Sequence, residues 1–294
     1  MDIRQLEYLV ALARERHFTR AAAACNVTQP TLSGRIRQLE QELGVPIVRR
    51  GQRFQGFTEE GERVLEWARR IVAARDGLRD ELAGMTGSGA GRLVLGVIPS
   101  ALPLIPPLTA AVRAAAPQAQ ITILSQTSRQ IARGLAESTI DAGVSYLDNE
   151  PLPELLVRPL HVESYCLFMR TDHPLAGRER IGWAEAAAHP LCLLTPDMQN
   201  RRIVDAAFRR AGARPVAEVE SNSVVTLIAH VRQGGLATVL PGHFAALTAG
   251  DRDLCRIPLT DPDTAQRIGL ITIDRDPLPR LVALAVAAAG ATGS

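Results

Sequence analysis

The segment FTRAAAACNVTQPTLSGRIRQLEQELG, residues 18–44, constrains the fold of this chain more than any other. Leu32, Ile36, Leu39 and Leu43 recur at spacings of 4, 3 and 4, which places them on one stripe of a helix. The alanine run before them forms a short helix whose small side chains let a neighbour approach closely, so the stripe has a surface to pack on. Asn26 and Val27 make the turn between the two. With the stripe inward, at about 100° per residue, the opposite face carries Pro30, Thr31, Gly34, Arg37, Gln38 and Gln41. Pro30 suits a first helical turn, where its missing N–H loses nothing, with Thr28 or Gln29 as cap and Gly44 as terminator. The alanine helix is expected over residues 20–25 with Thr19 as its cap. A further helix over residues 3–13 buries Ile3, Leu6, Val10 and Ala13.

A packed helix that holds out a second helix with a polar, carboxylate-poor face is the geometry of a helix-turn-helix. Gln38 or Gln41 suits adenine, Arg37 suits guanine or phosphate, and Thr31 and Ser33 suit either. The competing reading is a solvated face on a helical bundle. Charge leans towards nucleic acid: all 33 basic residues are arginines, and residues 1–58 hold nine of them against five acidic residues. Residues 89–294 carry nineteen of each sign and balance.

Residues 45–61, VPIVRRGQRFQGFTEEG, read as a hairpin with Arg49, Arg50 and Arg53 at its tip, fit to touch phosphate or the minor groove, or else simply solvated. Val64, Ala68, Ile71, Arg75, Leu78, Leu82 and Met85 then alternate spacings of 4 and 3, the seam of a helix that pairs with a second chain. Arg75 interrupts that seam and is expected to set register. TGSGAG at 86–91 reads as a flexible joint.

Beyond the joint, strand and helix patterns alternate as βαβαβ, the signature of a parallel sheet with covering helices. A second set begins near residue 160 with HVESYCLFM, and AQRIGLITI plus the last helix return to the first lobe. Two lobes imply a cleft. Three segments lead a strand into a helix beside a hydroxyl: VIPSALPL with Ser100, LLTPDMQN with Thr195 and Asp197, and VESNSVV with Ser223. Such junctions suit a carboxylate or phosphate, and equally suit ordinary helix capping. Arg201 and Arg202 are placed to neutralise an anion or to be solvated, and Tyr146 ends a strand where it lines the cleft or packs beside it.

Catalytic patterns are missing. The six histidines show neither HxxxH nor HExxH spacing, and no GxSxG, Walker loop or GxGxxG follows the first strand, so neither an enzyme nor a metal site is expected. Cys25, Cys166, Cys192 and Cys255 form no CxxC pair, as in a reducing cytoplasm. No apolar run approaches the roughly 18 residues a bilayer span requires.

The run LEYLVALARERHFTRAAAACNVTQPTLSGRIRQLEQELGVPIVRR, followed by GFTEEG, a heptad helix and a two-lobed α/β domain, resembles the LysR-type transcriptional regulators over essentially the whole chain. The resemblance implies an all-α winged helix-turn-helix over residues 1–58 and a dimerising linker helix over 59–88. It implies a periplasmic-binding-protein-like effector domain over 91–294, with lobe I at about 91–160 and 266–294 and lobe II at about 161–265. DNA contacts fall on Thr28, Gln29, Pro30, Thr31, Ser33, Arg35, Arg37, Gln38, Arg50 and Arg53. Effector contacts fall on Ser100, Ser128, Tyr146, Thr195, Asp197, Ser223 and Val224. Where many members have Ser-Arg this chain has Ser33 and Gly34, leaving Arg35 or Arg37 to substitute, and several members have arginine where Tyr146 stands. LLTPDMQNRRI is similar to the matching run of members linked to formate-oxidation operons. The implied partners are double-stranded DNA, a small-molecule effector, a homodimer or dimer of dimers, and RNA polymerase, with no cofactor. The rival class is a solute-binding or enzymatic α/β protein carrying an N-terminal oligomerisation module.

Overall fold

A computed structural model of the chain describes residues 1–49, 51, 54–85, 91–148 and 155–292. Most of the joint expected at 86–91, and Arg50 and Arg53 of the expected hairpin tip, lie outside the described residues. Two compact units form: residues 1–91 with 136–139, and residues 92–135 with 140–294.

The first unit is built on four helices, α1 (Ile3–Glu15), α2 (Phe18–Ala24), α3 (Gln29–Leu43) and α4 (Glu59–Met85). A reciprocal cap starts α1: Gln5 Oε1 accepts from the Asp2 N–H at 2.6 Å, and the Asp2 carboxylate accepts from the Arg4 N–H at 3.2 Å. The cap of α2 is His17, whose Nδ1 accepts from the Thr19 N–H, so the helix starts earlier than the expected Thr19 cap allows. Imidazole does here what a hydroxyl was expected to do. Thr28 caps α3, Pro30 sits in its first turn, and Gly44 ends it at φ 71°, a left-handed conformation that favours glycine.

Leu32, Ile36 and Leu39 are buried against Leu9, Leu12, Ala21 and Ala22, whereas Leu43 is 40% exposed. The buried stripe therefore ends one turn sooner than its spacing suggests. The seam of α4 also departs from expectation. Leu65 and Ala68 are buried in the unit's own core with Val64, Ile71 and Val72 packed beside them, and Arg75 pairs with Glu7 of α1. Of the seam residues, Leu78 and Leu82 farther along the helix stand exposed.

The second unit holds two main sheets. Strands β1 (Arg92–Val97), β2 (Gln120–Ser125), β3 (Ala142–Tyr146), β4 (Leu155–Glu163) and β11 (Gln266–Ile273) order as β2-β1-β3-β11-β4. The first three run parallel, as alternating helices demand, and β11 is antiparallel to β3 and β4. α5 (Ile105–Ala115), α6 (Ser128–Ala136) and α10 (Arg280–Thr292) flank this sheet, α10 lying on α5.

The other sheet orders β6 (Ile181–Gly182), β10 (Leu254–Thr260), β5 (Tyr165–Arg170) and β9 (Thr238–Pro241) as β6-β10-β5-β9. The pair β7 (Leu191–Leu194) and β8 (Ala217–Ser221) lies beside β9 through the Cys192 N–H to Ala237 carbonyl bond, with α7 (Trp183–Ala186), α8 (Gln199–Arg210) and α9 (Val224–Gln233) around it. HVESYCLFM is thus two strands rather than one: β4 stays in the first sheet through Glu163, and β5 opens the second. Pro159, which has no N–H to give a ladder, sits where the β4–β11 register shifts. No helix among the described residues is long and apolar enough to cross a membrane.

Candidate functional site

Two surfaces carry chemistry, one in each unit. On α3 the buried stripe forces the remaining side chains outward: Thr28, Gln29, Pro30, Thr31, Arg35, Arg37 and Gln38 are exposed and Ser33 is half-buried. Thr28 Oγ1 accepts from the Thr31 N–H at 3.4 Å and lies 2.8 Å from the Thr31 hydroxyl, so the first turn is ordered without outside help. Arg35 donates to Gln38 Oε1 at 3.3 Å, and Gln38 Nε2 donates to Glu42 at 3.0 Å. Glu42 also holds the N-terminal ammonium, which with Gln5 keeps its carboxyl below the usual range. A carboxylate therefore bounds the C-terminal edge of the face and leaves its N-terminal half and Arg37 as the part fit to meet a polyanion.

Beside α3, a minimal hairpin forms. The Arg49 N–H donates to the Gly56 carbonyl at 3.0 Å and the Thr58 N–H to that of Ile47 at 2.9 Å. Glu40, which sequence reasoning passed over, fixes this wing to α3: its Oε1 accepts from the N–H groups of Ile47 and Val48 at 2.7 and 3.0 Å. At Gly61 of α4 any β-carbon would overlap the Ile47 carbonyl, so glycine there lets the wing seat on the helix. Phe54 stacks edge-on with both Phe18 and Phe57, and Arg49 stays exposed.

In the second unit the two sheets meet around Ser100, Tyr146, Glu163, Tyr165 and Asn200. Ser100 lies in the 3-10 turn Pro99–Leu104 after β1, and Tyr146 ends β3. Glu163 ends β4, Tyr165 starts β5, and Asn200 is in the first turn of α8. Both phenols donate to Glu163 Oε1, at 2.9 Å from Tyr146 and 2.7 Å from Tyr165. Ser100 Oγ lies 2.9 Å from the Tyr146 hydroxyl, and Asn200 Nδ2 donates to the hydroxyls of Tyr146 and Tyr165 at 3.1 and 3.4 Å. Burial pushes the Glu163 carboxyl up to about 7 and both phenols above their ordinary value.

A small cavity opens on this network, lined by Ser100, Ser128 and Tyr146 on one side and Met198, Gln199 and Asn200 on the other. Its free volume for a water centre is about 10 Å³, close to that of one water molecule. The Ser128 hydroxyl, in a residue 5% exposed, is buried without a hydrogen-bond partner, as is Thr195 Oγ1.

The structure thus brings Ser100, Ser128 and Tyr146 together; Thr195, half-buried just after β7, is not among the residues lining the cavity. It does not bring the other three expected effector residues to the cavity. Asp197 is exposed, Ser223 caps α9 by accepting from the Thr226 N–H at 3.4 Å, and Val224 packs with Leu194 and Met198 in the apolar core. Arg201 is taken by the Leu194 carbonyl, Asp205 and Glu220 at 2.6, 2.8 and 2.6 Å, and Arg202 by the Asp197 carbonyl at 2.8 Å. Glu163 and Asn200 escaped the sequence reading because their bonds to Tyr146 span 17 and 54 positions, and the short-range Tyr165–Glu163 bond has no sequence pattern of its own.

At the far end of β5 is a larger open hollow beside His173 and His189, where Arg170 is held by Asp172 at 2.8 Å. Burial drives the thiols upward, Cys192 to about 11 and Cys166 to a lesser degree with Arg256 at 3.8 Å, and all four cysteines are free. Among the described residues no group of three or more His, Cys, Asp or Glu is placed to hold a metal ion.

Residues 3–62 match the family "Bacterial regulatory helix-turn-helix protein, lysR family", and residues 86–293 match "LysR substrate binding domain". A hydrogen peroxide-inducible genes activator from Dickeya chrysanthemi is 34% identical over 281 residues, 95% of this chain and 91% of that protein. The structure of a full-length OxyR variant from Pseudomonas aeruginosa superposes with a TM-score of 0.77 at 27% identity, covering 98% of this chain and 94% of the other. CbnR in complex with its target DNA shares the fold, with a TM-score of 0.65 at 22% identity over 99% of this chain and all of that one.

Proposed function

We propose that this chain, which belongs to the LysR family of DNA-binding transcriptional regulators and is not an enzyme, reads DNA through the outward face of α3 and is switched by a small molecule in the cleft beside Ser128. The observation that carries the first half is the burial of Leu32, Ile36 and Leu39, which leaves Thr28, Gln29, Thr31 and Arg37 no direction but outward. Thr31 and Ser33 suit either base edges or phosphate, Arg37 suits guanine, and the wing beside Arg49 tracks the backbone. Arg35 and Gln38 brace each other and act together.

The second half rests on Ser128, whose buried hydroxyl lines the cavity beside the Ser100–Tyr146–Asn200 latch without a hydrogen-bond partner. A ligand that binds open and latched arrangements with different affinity shifts their populations, and only through that difference. The exposed Leu78 and Leu82 of α4 suit a second copy of the chain, and paired recognition helices then address two half-sites on one face of the duplex. RNA polymerase is the partner through which such a regulator acts, in the cytoplasm where the DNA is.

Although relatives carry the name hydrogen peroxide-inducible genes activator, ligand binding suits this chain better than thiol oxidation. Its cleft mouth reads Met198, Gln199 and Asn200, and its thiols are held protonated by burial. A gel-shift titration of the full chain on DNA selected from a random pool tests the reading. Specific binding that weakens steeply with salt, by about 0.9 in log–log slope per phosphate neutralised, supports it, and a flat profile contradicts it.

A further inference from the structure

We infer that the effector of this cleft is a small carboxylate bearing a hydroxyl or ammonium group on the adjacent carbon. The inference rests on the reading of the cleft given above and adds the ligand's chemistry, which follows from the direction in which each hydrogen bond of the latch runs.

The acceptor side comes first. Both phenols give their proton to Glu163 Oε1, so the Tyr146 oxygen is left with two lone pairs, and Ser100 and Asn200 fill them. A serine hydroxyl has one proton. With that proton directed at Tyr146, Ser100 offers only lone pairs to anything else. Asn200 likewise has its amide nitrogen directed at the two phenols, which leaves its carbonyl oxygen as the free half. Protonating Glu163 does not reverse this order, because the proton has Oε2 to occupy, an oxygen with no other partner. On this side the cavity asks its guest for a donor.

The other side asks for an anion. α8 runs for 12 residues from this cavity, and its cap residue Met198 makes no side-chain hydrogen bond. The N–H groups of its first turn have no helical acceptors. The neighbouring end of α6 differs, since Thr127 and Gln130 close it reciprocally at 2.8 and 3.3 Å. The Ser128 hydroxyl, buried, unpartnered and lining the same cavity, is a further free donor. Among the described residues no arginine lines the cavity, and Arg201 is already held by two carboxylates, so the charge accommodated is one that a helix terminus and a hydroxyl suffice to hold. The cavity as it stands has room for about one water, so the guest enters as the latch opens: its carboxylate sits at the α8 terminus and its donor, on the next carbon, meets the lone pairs of Ser100. Formate and acetate, which have no donor, set lone pairs against lone pairs.

The test is differential scanning fluorimetry of the full-length chain with three matched probes (lactate, alanine and propionate) plus formate. Lactate or alanine is expected to raise the unfolding temperature by about 5 °C or more near saturation, with propionate and formate giving little or no shift. Ser128→Trp, checked for folding by circular dichroism, is expected to abolish the shift. Tyr146→Phe keeps the ring but frees the Ser100 proton, and is expected to narrow the lactate-to-propionate affinity ratio about tenfold. Equal shifts with propionate or formate that Ser128→Trp removes overturn the donor requirement and leave the cleft reading standing. Shifts that survive a folded Ser128→Trp overturn the cleft reading itself, and no shift with any probe overturns the ligand class.

Discussion

The amide of Asn200 donates to the hydroxyl of Tyr146 at 3.1 Å, joining the first turn of α8 to the end of β3 and so linking the two sheets of the effector domain. Removing the amide leaves two buried phenol oxygens short of a donor. Asn200→Ala is expected to lower stability by about 1–3 kcal/mol. Urea unfolding followed by the fluorescence of Trp183, which is buried 5.9 Å from the Tyr165 ring, reads the change as a lower midpoint. An unchanged midpoint means the latch contributes nothing.

Glu163 makes the domain pH-sensitive in a defined direction. Its carboxyl is raised from 4.5 to about 7 in the folded chain, chiefly by burial. A raised folded value means stability that is fully present below the unfolded value and is lost as pH rises through the folded one, here between about 4.5 and 7. At about 1.4 kcal/mol per unit the loss is on the order of 3 kcal/mol. His161, His173 and His243 are lowered by burial and act oppositely, losing stability as pH falls. The comparison is therefore between wild type and Glu163→Gln: their stability difference should change across this window and stay level above about pH 8. A difference that is constant with pH removes Glu163 from the account.

Gly61 tests the seating of the wing. Gly61→Ala places a methyl on the Ile47 carbonyl, where backbone rather than a movable side chain must yield. The expected cost is about 1–3 kcal/mol, together with weaker DNA binding as the wing lifts. Hydrogen exchange at the Thr58 N–H, which pairs with Ile47, reports it directly; unchanged protection contradicts the seating.

Thiol chemistry gives a fourth expectation. Cys166 and Cys192 are buried, whereas Cys25 and Cys255 are half-buried, so an aromatic disulfide reagent should label the latter pair first and the buried pair only on unfolding. Rapid labelling of Cys192 in the native chain would revive a redox role.

How much of this was legible beforehand follows from the range of each interaction. The stripe on α3, its Thr28 cap, Pro30 and Gly44 are set by neighbours within a few positions, and the spacing of the sequence contains them. Leu43 misled because its exposure depends on which tertiary neighbours reach the last turn of α3, which spacing within one helix does not contain. The first half of the α4 seam misled because Val64, Ala68 and Ile71 join the core of their own unit and Arg75 pairs with Glu7 of α1, which heptad spacing alone does not distinguish from a second chain. In the cleft, Ser100 and Tyr146 were placed by their strand ends, but Asn200 and Glu163 acquire their roles through bonds to Tyr146 across 54 and 17 positions. Ser223 shows the converse: a hydroxyl at a strand-to-helix junction that caps α9 and does not line the cavity.

The outward face of α3 is the claim on which the rest depends. Its most direct test is fluorescence anisotropy of the full chain on a selected duplex, wild type against Arg37→Ala and Thr31→Ala. The account predicts that each variant folds normally and loses about 1–3 kcal/mol of specific binding, with relaxed preference at the base pairs it meets. Affinity and preference unchanged in both variants would contradict it.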